Sequence, residues 1–292
     1  MESYSMYIGG EFRDKKEKVL IENPATEEII AQIPQADEND LAFCIEKAKS
    51  AQKIWQNTSF KERKALLLEI SQTILKNLKR LAELETIEIG KPIKETLFVD
   101  IPLAAKCFEY YASLIENISF PSFSTDTIDI IQYQPFGIAA IFLPYNVPLM
   151  IFGFNAASAL AAGNAIIVKP SEFGSLSLLE LAKYIDELDF PKGLINVITG
   201  EGSVIGKALA SSDVDIISFT GSSESFKKMF ENMKNPKKII CELSGVNLAI
   251  VFYDAVLEEA AENIVASAFM KQGQMCINTC LLYTSPSPRD RG

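Results

Sequence analysis

The chain has 292 residues, 48% apolar and 23% charged, with a formal net charge of −10. Such a chain is long enough for two domains, and its composition is that of a globular α/β protein. The negative charge argues against sequence-independent nucleic-acid binding and against docking to anionic lipid. No apolar run approaches the roughly 18 residues of a spanning helix, and the N-terminus lacks a secretory pattern. We therefore expect a cytoplasmic protein with neither nucleic acid nor membrane as a partner.

The reactive residues narrow the possible chemistry. The chain has five cysteines and no histidine. An odd, scattered set of cysteines indicates free thiols in a reducing compartment. Without histidine, Cys-His and Ser-His-Asp catalysis and imidazole-bound metals are excluded, so a base must be a carboxylate, lysine or tyrosine. The cysteines are Cys44, Cys107, Cys241, Cys276 and Cys280.

The first half of the chain predicts short strands followed by helices. From Asp37 the apolar spacing becomes helical, and Asp37 and Asp40 suit a helix start. Pro92 and Pro102 are expected to break the helical pattern that follows. The predicted elements are strands at 6–8, 19–22 and 127–134, and helices over about 60–89 and 97–116.

In the second half, apolar strands alternate with helices, which predicts a parallel sheet covered on both faces. The fold class is therefore α/β, with a Rossmann-like parallel sheet. Strands are expected near 138–143, 165–168, 195–198, 215–219 and 248–252, and helices near 148–162, 175–187, 203–210, 223–232 and 256–271.

Polar residues and glycines follow several of these strands, at the edge where ligands bind in open α/β sheets. Gly202 and Gly206 open a helix after one strand, which suits either a phosphate or merely a tight turn. Lys169 and Glu172 follow another strand, where they form either a ligand site or a solvated ion pair. Ser222 opens a further helix, where its hydroxyl and N–H groups can meet pyrophosphate.

Cys276 and Glu242 are the candidate catalytic pair. A thiol can take a carbon electrophile, and a carboxylate can activate the water that releases it. The alternatives are a buried structural cysteine, or a metal site built on Cys276 and Cys280, although the latter has no second pair of ligands. The other cysteines are interpreted as structural, and no metal is expected.

Five motifs in order give the chain a family resemblance. They resemble those of the NAD(P)-dependent aldehyde dehydrogenase superfamily over about residues 23–280. The motifs are Pro144-Tyr145-Asn146, Lys169-Pro170-Ser171-Glu172, Phe219-Thr220-Gly221-Ser222, Glu242-Leu243-Ser244-Gly245 and Gly273-Gln274-Met275-Cys276.

The resemblance implies a mechanism and a site. An aldehyde would be oxidised to a carboxylic acid through a thiohemiacetal and a thioester on Cys276, with Glu242 activating water. Asn146, with the Cys276 N–H, would hold the oxyanion, although Asn146 could instead only cap a turn. Because Glu172 would bond the adenine ribose and repel a 2′-phosphate, NAD is favoured over NADP. The implied cofactor-binding residues are Lys169, Ser171, Glu172, Gly202, Gly206, Phe219, Thr220, Gly221, Ser222 and Leu243.

The resemblance also implies a domain plan. It places an NAD-binding domain at 1–245, with a strand arm near 117–135 for assembly into a homodimer or homotetramer. The start of a catalytic domain is expected at 246–280. The Pro- and Ser-rich segment 281–292 is expected to be foreign, so that the chain is an N-terminal fragment, inactive as given.

Four positions depart from the family pattern, and two other functions remain open. Tyr145, Ser244, Val246 and Asn155 stand where the family usually has tryptophan, glycine, lysine and lysine. Asn155 leaves the route of protons around the base undetermined. One alternative is a CoA-acylating dehydrogenase, which Glu242 disfavours because such an enzyme does not need a general base. The other is a catalytically silent NAD-binding homologue.

Overall fold

The computed structural model describes residues 1–115, 120–123, 128–131, 133–231, 233 and 236–285, with the backbone alone for 120–123 and 128–131. The chain forms two compact units, Met1–Cys241 and Glu242–Gly292. The domains predicted at 1–245 and 246–280 stay a prediction, as does the arm near 117–135, part of which lies outside the described residues.

In chain order, the first unit begins with short strands, continues with helices and then alternates between the two. Its elements are β1 (Glu2–Ser3), β2 (Met6–Ile8), β3 (Glu11–Arg13), β4 (Lys18–Asn23), β5 (Glu28–Pro34), α1 (Glu38–Trp55), α2 (Phe60–Lys76), α3 (Leu78–Ile89), α4 (Ile93–Glu95), a π-helical turn (Thr96–Asp100), α5 (Ile101–Leu114), β6 (Phe120–Phe123), β7 (Ile128–Ile131), β8 (Ile138–Phe142), α6 (Pro148–Ala161), β9 (Ala165–Lys169), α7 (Leu176–Ile185), β10 (Ile195–Val197), a second π-helical turn (Gly202–Gly206), α8 (Lys207–Ser211), β11 (Ile216–Thr220), α9 (Ser223–Phe230) and β12 (Lys238–Glu242).

A seven-stranded sheet organises the described part of this unit, in the order β12-β11-β8-β9-β10-β2-β3. The neighbours β11, β8, β9 and β10 are parallel, whereas β2 joins β10 antiparallel. The chain runs from β8 outward through β9 to β10, and then returns to place β11 on the other side of β8. The protein is therefore an α/β protein with a Rossmann-like sheet, as the sequence predicted.

The centre of this sheet is apolar because both of its faces are covered. Every residue of β8 and β9 is buried, and α1 and α6 pack against these strands. Continuous apolar runs of this kind are typical of central parallel strands. Helix α6 in turn packs closely against α5, since a Cβ added at Gly153 of α6 would lie 2.7 Å from the Ala104 Cα of α5.

The helix starts show why the sequence pattern was informative. Asp37 caps α1, and its side chain accepts the N–H groups of Asn39 and Asp40, while the Asp40 carboxylate accepts the Asp37 N–H. Ser59 and Glu62 form the same reciprocal arrangement at α2. Three N–H groups are satisfied at the start of α1 and two at the start of α2, and both starts form a capping box.

The breaks predicted in the helical region are partly wrong. The predicted helix at 60–89 is two helices, which divide at Asn77. Pro102 does not break the chain's helical path, because α5 begins at Ile101 directly after the π-helical turn Thr96–Asp100. In the first turn of a helix the missing N–H of proline has no intrahelical acceptor to lose.

The second unit is small and begins at the end of β12. Its elements are β13 (Leu248–Val251), α10 (Leu257–Phe269), a short 3-10 segment (Met270–Gly273) and β14 (Leu281–Thr284). Strands β13 and β14 pair in parallel. Strand β13 confirms the strand expected near 248–252, and α10 ends two residues before the predicted limit. No residue of α10 is buried.

Candidate functional site

The first unit has a topological switch point between β8 and β11. Strand order reverses there, and the carboxyl ends of the strands at such a point are the usual ligand position in open α/β sheets. Phe142, near this edge, is in register with Phe219 on β11 and with Lys169 on β9. The segments that follow these three strands carry most of the residues predicted to bind the cofactor.

Asn146 lies in the loop between β8 and α6, which we call the Asn146 loop (143–147). The loop is attached to the sheet where the Leu143 N–H donates to the Lys169 carbonyl at 3.0 Å. The Asn146 side-chain oxygen accepts the Val147 N–H at 3.1 Å, and its carbonyl accepts from Lys91 Nζ at 3.2 Å. The position of Asn146 is thus fixed through both its side chain and its backbone.

Lys169 and Glu172 form an ion pair at the end of β9, with Nζ and Oε2 3.3 Å apart. Lys169 is buried, and Glu172 is partly exposed. Burial lowers the pKa of Lys169, opposed by the nearby carboxylates of Glu172 and Glu201. The pair is therefore not the fully solvated one that the sequence left open, since its cation is almost withdrawn from water.

Ser171 fixes the turn that carries Glu172. Its N–H donates to the Leu143 carbonyl at 3.0 Å, and its hydroxyl accepts the Phe173 N–H at 3.3 Å. The turn lies close to the Asn146 loop, because a Cβ added at Gly174 would be only 2.7 Å from the Tyr145 carbonyl oxygen. Glycine is needed for this close approach.

Gly202 and Gly206 lie at the two ends of the π-helical turn that follows β10. The nearest atom to a Cβ added at Gly202 is Lys169 Nζ, at 3.9 Å, so open space remains beside the buried cation. A Cβ added at Gly206 would meet Met229 Cε at 3.2 Å. Gly202 thus lies beside the Lys169 ammonium, whereas Gly206 packs against α9.

Phe219, Thr220, Gly221 and Ser222 follow or end β11 at the switch point. The Phe219 ring is 5.9 Å from that of Phe142 and 5.5 Å from that of Phe226. The Ser222 hydroxyl caps α9 by accepting the Ser225 N–H at 3.0 Å. The cap uses the hydroxyl only as an acceptor, and its proton is donated to the Ser225 hydroxyl at 2.9 Å, so a contact with pyrophosphate would replace that bond and not the cap.

The second unit contains the other two predicted catalytic residues. Glu242 is exposed and ends β12, and Leu243 follows it, half-buried. Cys276 is exposed and lies in a turn beyond α10. Asn146 belongs to the first unit, so the predicted catalytic trio is divided between the two compact units.

Asn247 holds the turn that contains Cys276. Its side-chain Nδ2 donates to the Cys276 carbonyl at 2.6 Å and to the Asn278 carbonyl at 3.0 Å. The Asn247 carbonyl in turn accepts the N–H groups of Cys280 and Leu281. Sequence reasoning missed Asn247, although an asparagine shortly after the Glu242 motif was a usable signal.

The approach to Cys276 is a left-handed turn. Lys271 and Gln272 have φ of 52° and 57°, and Gly273 has φ of 76°. Left-handed backbone is unfavourable for residues that carry a Cβ. The predicted helix to 271 therefore ends early, and this reversal separates Cys276 from α10.

Sequence reasoning also missed a buried ionic cluster under the Asn146 loop. It consists of Lys91, Glu85 and Asp100, whose side chains are at most 1% exposed. Lys91 Nζ pairs with Glu85 and, at 2.9 Å, with Asp100. Burial alone would lower the pKa of Lys91, but the two carboxylates outweigh it and hold that pKa above its usual value.

Asn155, where the resemblance implies a lysine in the family, has two hydrogen-bond partners. Its Oδ1 accepts the Ser218 hydroxyl at 2.9 Å, and its Nδ2 donates to the Ile151 carbonyl at 3.0 Å. Asn155 of α6 and Ser218 of β11 therefore form a neutral hydrogen-bonded pair.

Two kinds of feature are absent from the described ranges. None of the helices there combines the length and hydropathy needed to cross a membrane. In the same part of the chain, no three His, Cys, Asp or Glu residues are grouped so that they could hold a metal ion.

The sequence was compared with protein-family models and with curated proteins. The aldehyde dehydrogenase family model matches residues 12–291. The betaine aldehyde dehydrogenase of Vibrio vulnificus (strain CMCP6) is 37% identical over 295 residues, covering 99% of this chain and 61% of the relative. That of strain YJ016 is also 37% identical, with the same coverage.

Solved structures agree with the sequence relatives. PnpE in complex with nicotinamide adenine dinucleotide has a TM-score of 0.91 and 34% identity, covering 99% of this chain and 60% of that one. The NAD+ complex of an aldehyde dehydrogenase from Bacillus cereus has a TM-score of 0.92 and 30% identity, covering 98% and 60%.

The lengths of these matches show how much of the relatives the chain covers and whether the match includes residues 281–292. The chain spans about 61% of the length of the curated relatives it matches. The family match includes residues 281–291, so the foreign origin of 281–292 stays a prediction. The matched range covers most of both compact units, and we conclude that the chain belongs to the aldehyde dehydrogenase family.

Proposed function

We propose that the whole protein oxidises an aldehyde to a carboxylic acid with NAD, using Cys276 as the nucleophile. The observation that carries this proposal is the exposed Cys276 thiol, in a turn fixed by Asn247, in a chain of this family. The relatives from Vibrio vulnificus are named as betaine aldehyde dehydrogenases, so betaine aldehyde is the first substrate to test.

The residues at the switch point fit a dinucleotide. Lys169 supplies a buried cation, Glu172 a carboxylate beside it, and Gly202 leaves open space next to the Lys169 ammonium. A carboxylate at this position can accept hydrogen bonds from ribose hydroxyls and repel a 2′-phosphate. We therefore propose NAD rather than NADP, with Lys169 and Glu172 on the adenine ribose and the segment 219–222 near the pyrophosphate.

The chemistry divides among three residues. The Cys276 thiolate adds to the aldehyde carbon, forming a C–S bond and an oxyanion that Asn146 would stabilise by donating from its amide. When bound, NAD accepts the hydride whose loss turns the thiohemiacetal into a thioester. Glu242 then takes a proton from water, which attacks the thioester, releases the acid and restores the Cys276 thiol.

Two variants of the whole protein test this assignment. Cys276→Ala should abolish NADH formation, while Cys280→Ala, its matched control four residues on, should not. Glu242→Gln should keep a stoichiometric NADH burst while the steady-state rate falls about 10²–10⁴-fold, the usual contribution of a general base. Near-normal turnover of Cys276→Ala would refute the proposal, and loss of the burst in Glu242→Gln would assign Glu242 to thiol activation.

The same assay decides between the alternatives. Acyl-CoA as the product in the presence of CoA would identify an acylating enzyme, and no NADH with any aldehyde would identify a silent homologue.

We also propose that the whole protein assembles as a homodimer or homotetramer and that it is cytoplasmic. Sedimentation of the whole protein tests the first, and fractionation of the cells that make it tests the second.

A further inference from the structure

We propose that Lys91 is a positioning residue for Asn146, and that Glu85 and Asp100 serve to hold Lys91 there. The inference rests on the proposed function only for the chemical role of Asn146. It concerns the first compact unit alone, in which all four residues lie.

The contact with the Asn146 loop is direct. Lys91 Nζ donates to the Asn146 carbonyl at 3.2 Å, and the same ammonium pairs with Glu85 and Asp100. Taking an ammonium and two carboxylates out of water costs several kcal/mol for each ion, and pairing recovers this only with good geometry. A buried cluster of this kind is therefore weak evidence for stability, whereas its fixed geometry suits positioning.

Glu85 fixes the start of α6, directly after the same loop. Its Oε1 accepts the Leu149 N–H at 3.0 Å and the Ser177 hydroxyl at 3.1 Å. Leu149 lies in the first turn of α6, whose N-cap, Val147, makes no side-chain hydrogen bond. Glu85 thus supplies the acceptor that the local sequence lacks, and one cluster holds the C-terminal end of the Asn146 loop through both Asn146 and Leu149.

Glu88 extends the arrangement to the segment that follows Glu172. Its carboxylate accepts the N–H groups of Ser175, at 2.8 Å, and Leu176, at 3.0 Å, at the start of α7. Helix α7 also lacks a side-chain cap of its own. Helix α3 therefore anchors the segments after β8 and β9, where the proposed oxyanion donor and ribose ligands lie.

The first test is a hydrogen-exchange measurement, which does not require an enzymatically active protein. We would measure hydrogen exchange of amides 145–151 in this chain and in the variant Lys91→Met/Glu85→Gln/Asp100→Asn. That triple variant is uncharged and leaves no bare buried carboxylate. Exchange at 145–151 should rise about tenfold or more, while α2 stays protected and Lys94→Met, an exposed control, changes nothing.

Unchanged exchange at 145–151 in a folded triple variant would overturn the proposal. If the triple variant does not fold, hydrogen exchange of the unmutated chain tests the proposal instead. The amides of residues 145–147 and 149 should then be protected as well as those of residues 152–161 in the rest of α6, and exchange as fast as in an exposed loop would overturn the inference.

The second test is a double-mutant cycle in the whole protein, measured by the rate of the NADH burst with betaine aldehyde, or with the best aldehyde found. The triple variant should slow the burst about 10- to 100-fold with the KM for NAD unchanged. In an Asn146→Ala background it should add less than about twofold, because residues acting through one another are not additive.

Additive effects in the cycle would mean that Lys91 acts on the fold in general and would overturn the proposal. If Asn146→Ala alone leaves the burst unchanged, the oxyanion role in the proposed function fails. Hydrogen exchange then decides by itself whether Lys91 positions the loop, so the two failures are distinguishable.

Discussion

The side-chain amide of Asn247 donates to the backbone carbonyl of Cys276 at 2.6 Å, across 29 residues of sequence. The same nitrogen also donates to the carbonyl of Asn278. One side chain therefore fixes the backbone on both sides of residue 277, and with it the direction in which the thiol points. Such fixing matters because a reacting group displaced by about 1 Å can lose about a hundredfold in rate.

We expect Asn247→Ala to lose both hydrogen bonds, each contributing about 0.5–1.5 kcal/mol to the free energy of unfolding. Turnover by the whole protein should fall about 10- to 100-fold. The control is Asn263→Ala, whose amide bonds only within α10. Urea unfolding and NADH formation check the two effects, and equal behaviour of the two variants would contradict the role of Asn247.

Glu172→Ser should reduce the preference for NAD over NADP. The change removes a carboxylate that would repel a 2′-phosphate, and it leaves the buried Lys169 ammonium without its 3.3 Å partner. We expect the ratio of kcat/KM for the two cofactors to move toward NADP by about tenfold or more, equivalent to ~1.4 kcal/mol. Glu187→Ser, exposed on the same unit, is the control. Equal use of both cofactors by the unmutated protein would refute the premise.

Glu88 should make stability depend on pH. Burial raises its pKa to about 8, against the opposing effect of the N–H donors of Ser175 and Leu176. A carboxyl whose pKa is raised on folding binds a proton more tightly when folded, so it stabilises at low pH. This stabilisation falls as the pH rises from about 4.5 to about 8, with a slope of up to ~1.4 kcal/mol per unit.

Glu88→Gln keeps an acceptor for the Ser175 N–H but cannot titrate. Chemical denaturation of this chain from pH 5 to pH 8 should therefore show a smaller decline in the free energy of unfolding for the variant. Identical slopes for the two proteins would show that Glu88 stays ionised in the fold.

Gln272→Gly should stabilise the turn before Cys276. Gln272 is exposed and has φ of 57°, where a residue with a Cβ is disfavoured and glycine is not. After the greater entropy of glycine in the unfolded chain is subtracted, we expect a gain of about 0.5–1 kcal/mol. The control is Glu262→Gly, in the exposed part of α10, which should cost about 1 kcal/mol. Thermal unfolding of this chain measures both, and destabilisation by Gln272→Gly would contradict the expectation.

The sequence was most informative where pattern and environment agree. Strands β8 and β9 are continuous apolar runs, and burial on both faces is what such runs require. Strand β12 was missed because its residues, Lys-Ile-Ile-Cys-Glu, are mostly exposed and do not alternate with a buried face. Helix α10 was extended too far because nothing in Lys271 and Gln272 signals left-handed backbone.

Some residues of the candidate site could likewise be predicted from the sequence, and others could not. Lys169 and Glu172 could be predicted because position at the end of a parallel strand and motif pointed to one edge. Lys91, Glu85 and Asp100 could not, because charged residues in a helical region normally lie on its solvated face. They are buried by tertiary packing, which includes the contacts of α3 with α7 and with the neighbouring π-helical turn, and these contacts are not visible in local spacing.

The length of α3 is constrained by its two carboxylates. Glu85 and Glu88 lie three positions apart, and each satisfies the start of a different helix, α6 or α7. One residue inserted between them would turn one carboxylate by about 100° relative to the other, so the two helix starts could not both be reached. Homologous chains should vary freely in the exposed loops, yet keep α3 free of insertions and deletions between these positions. Residue 147 is correspondingly released from the usual choice of serine, threonine or aspartate at a helix start, which explains how valine can stand there.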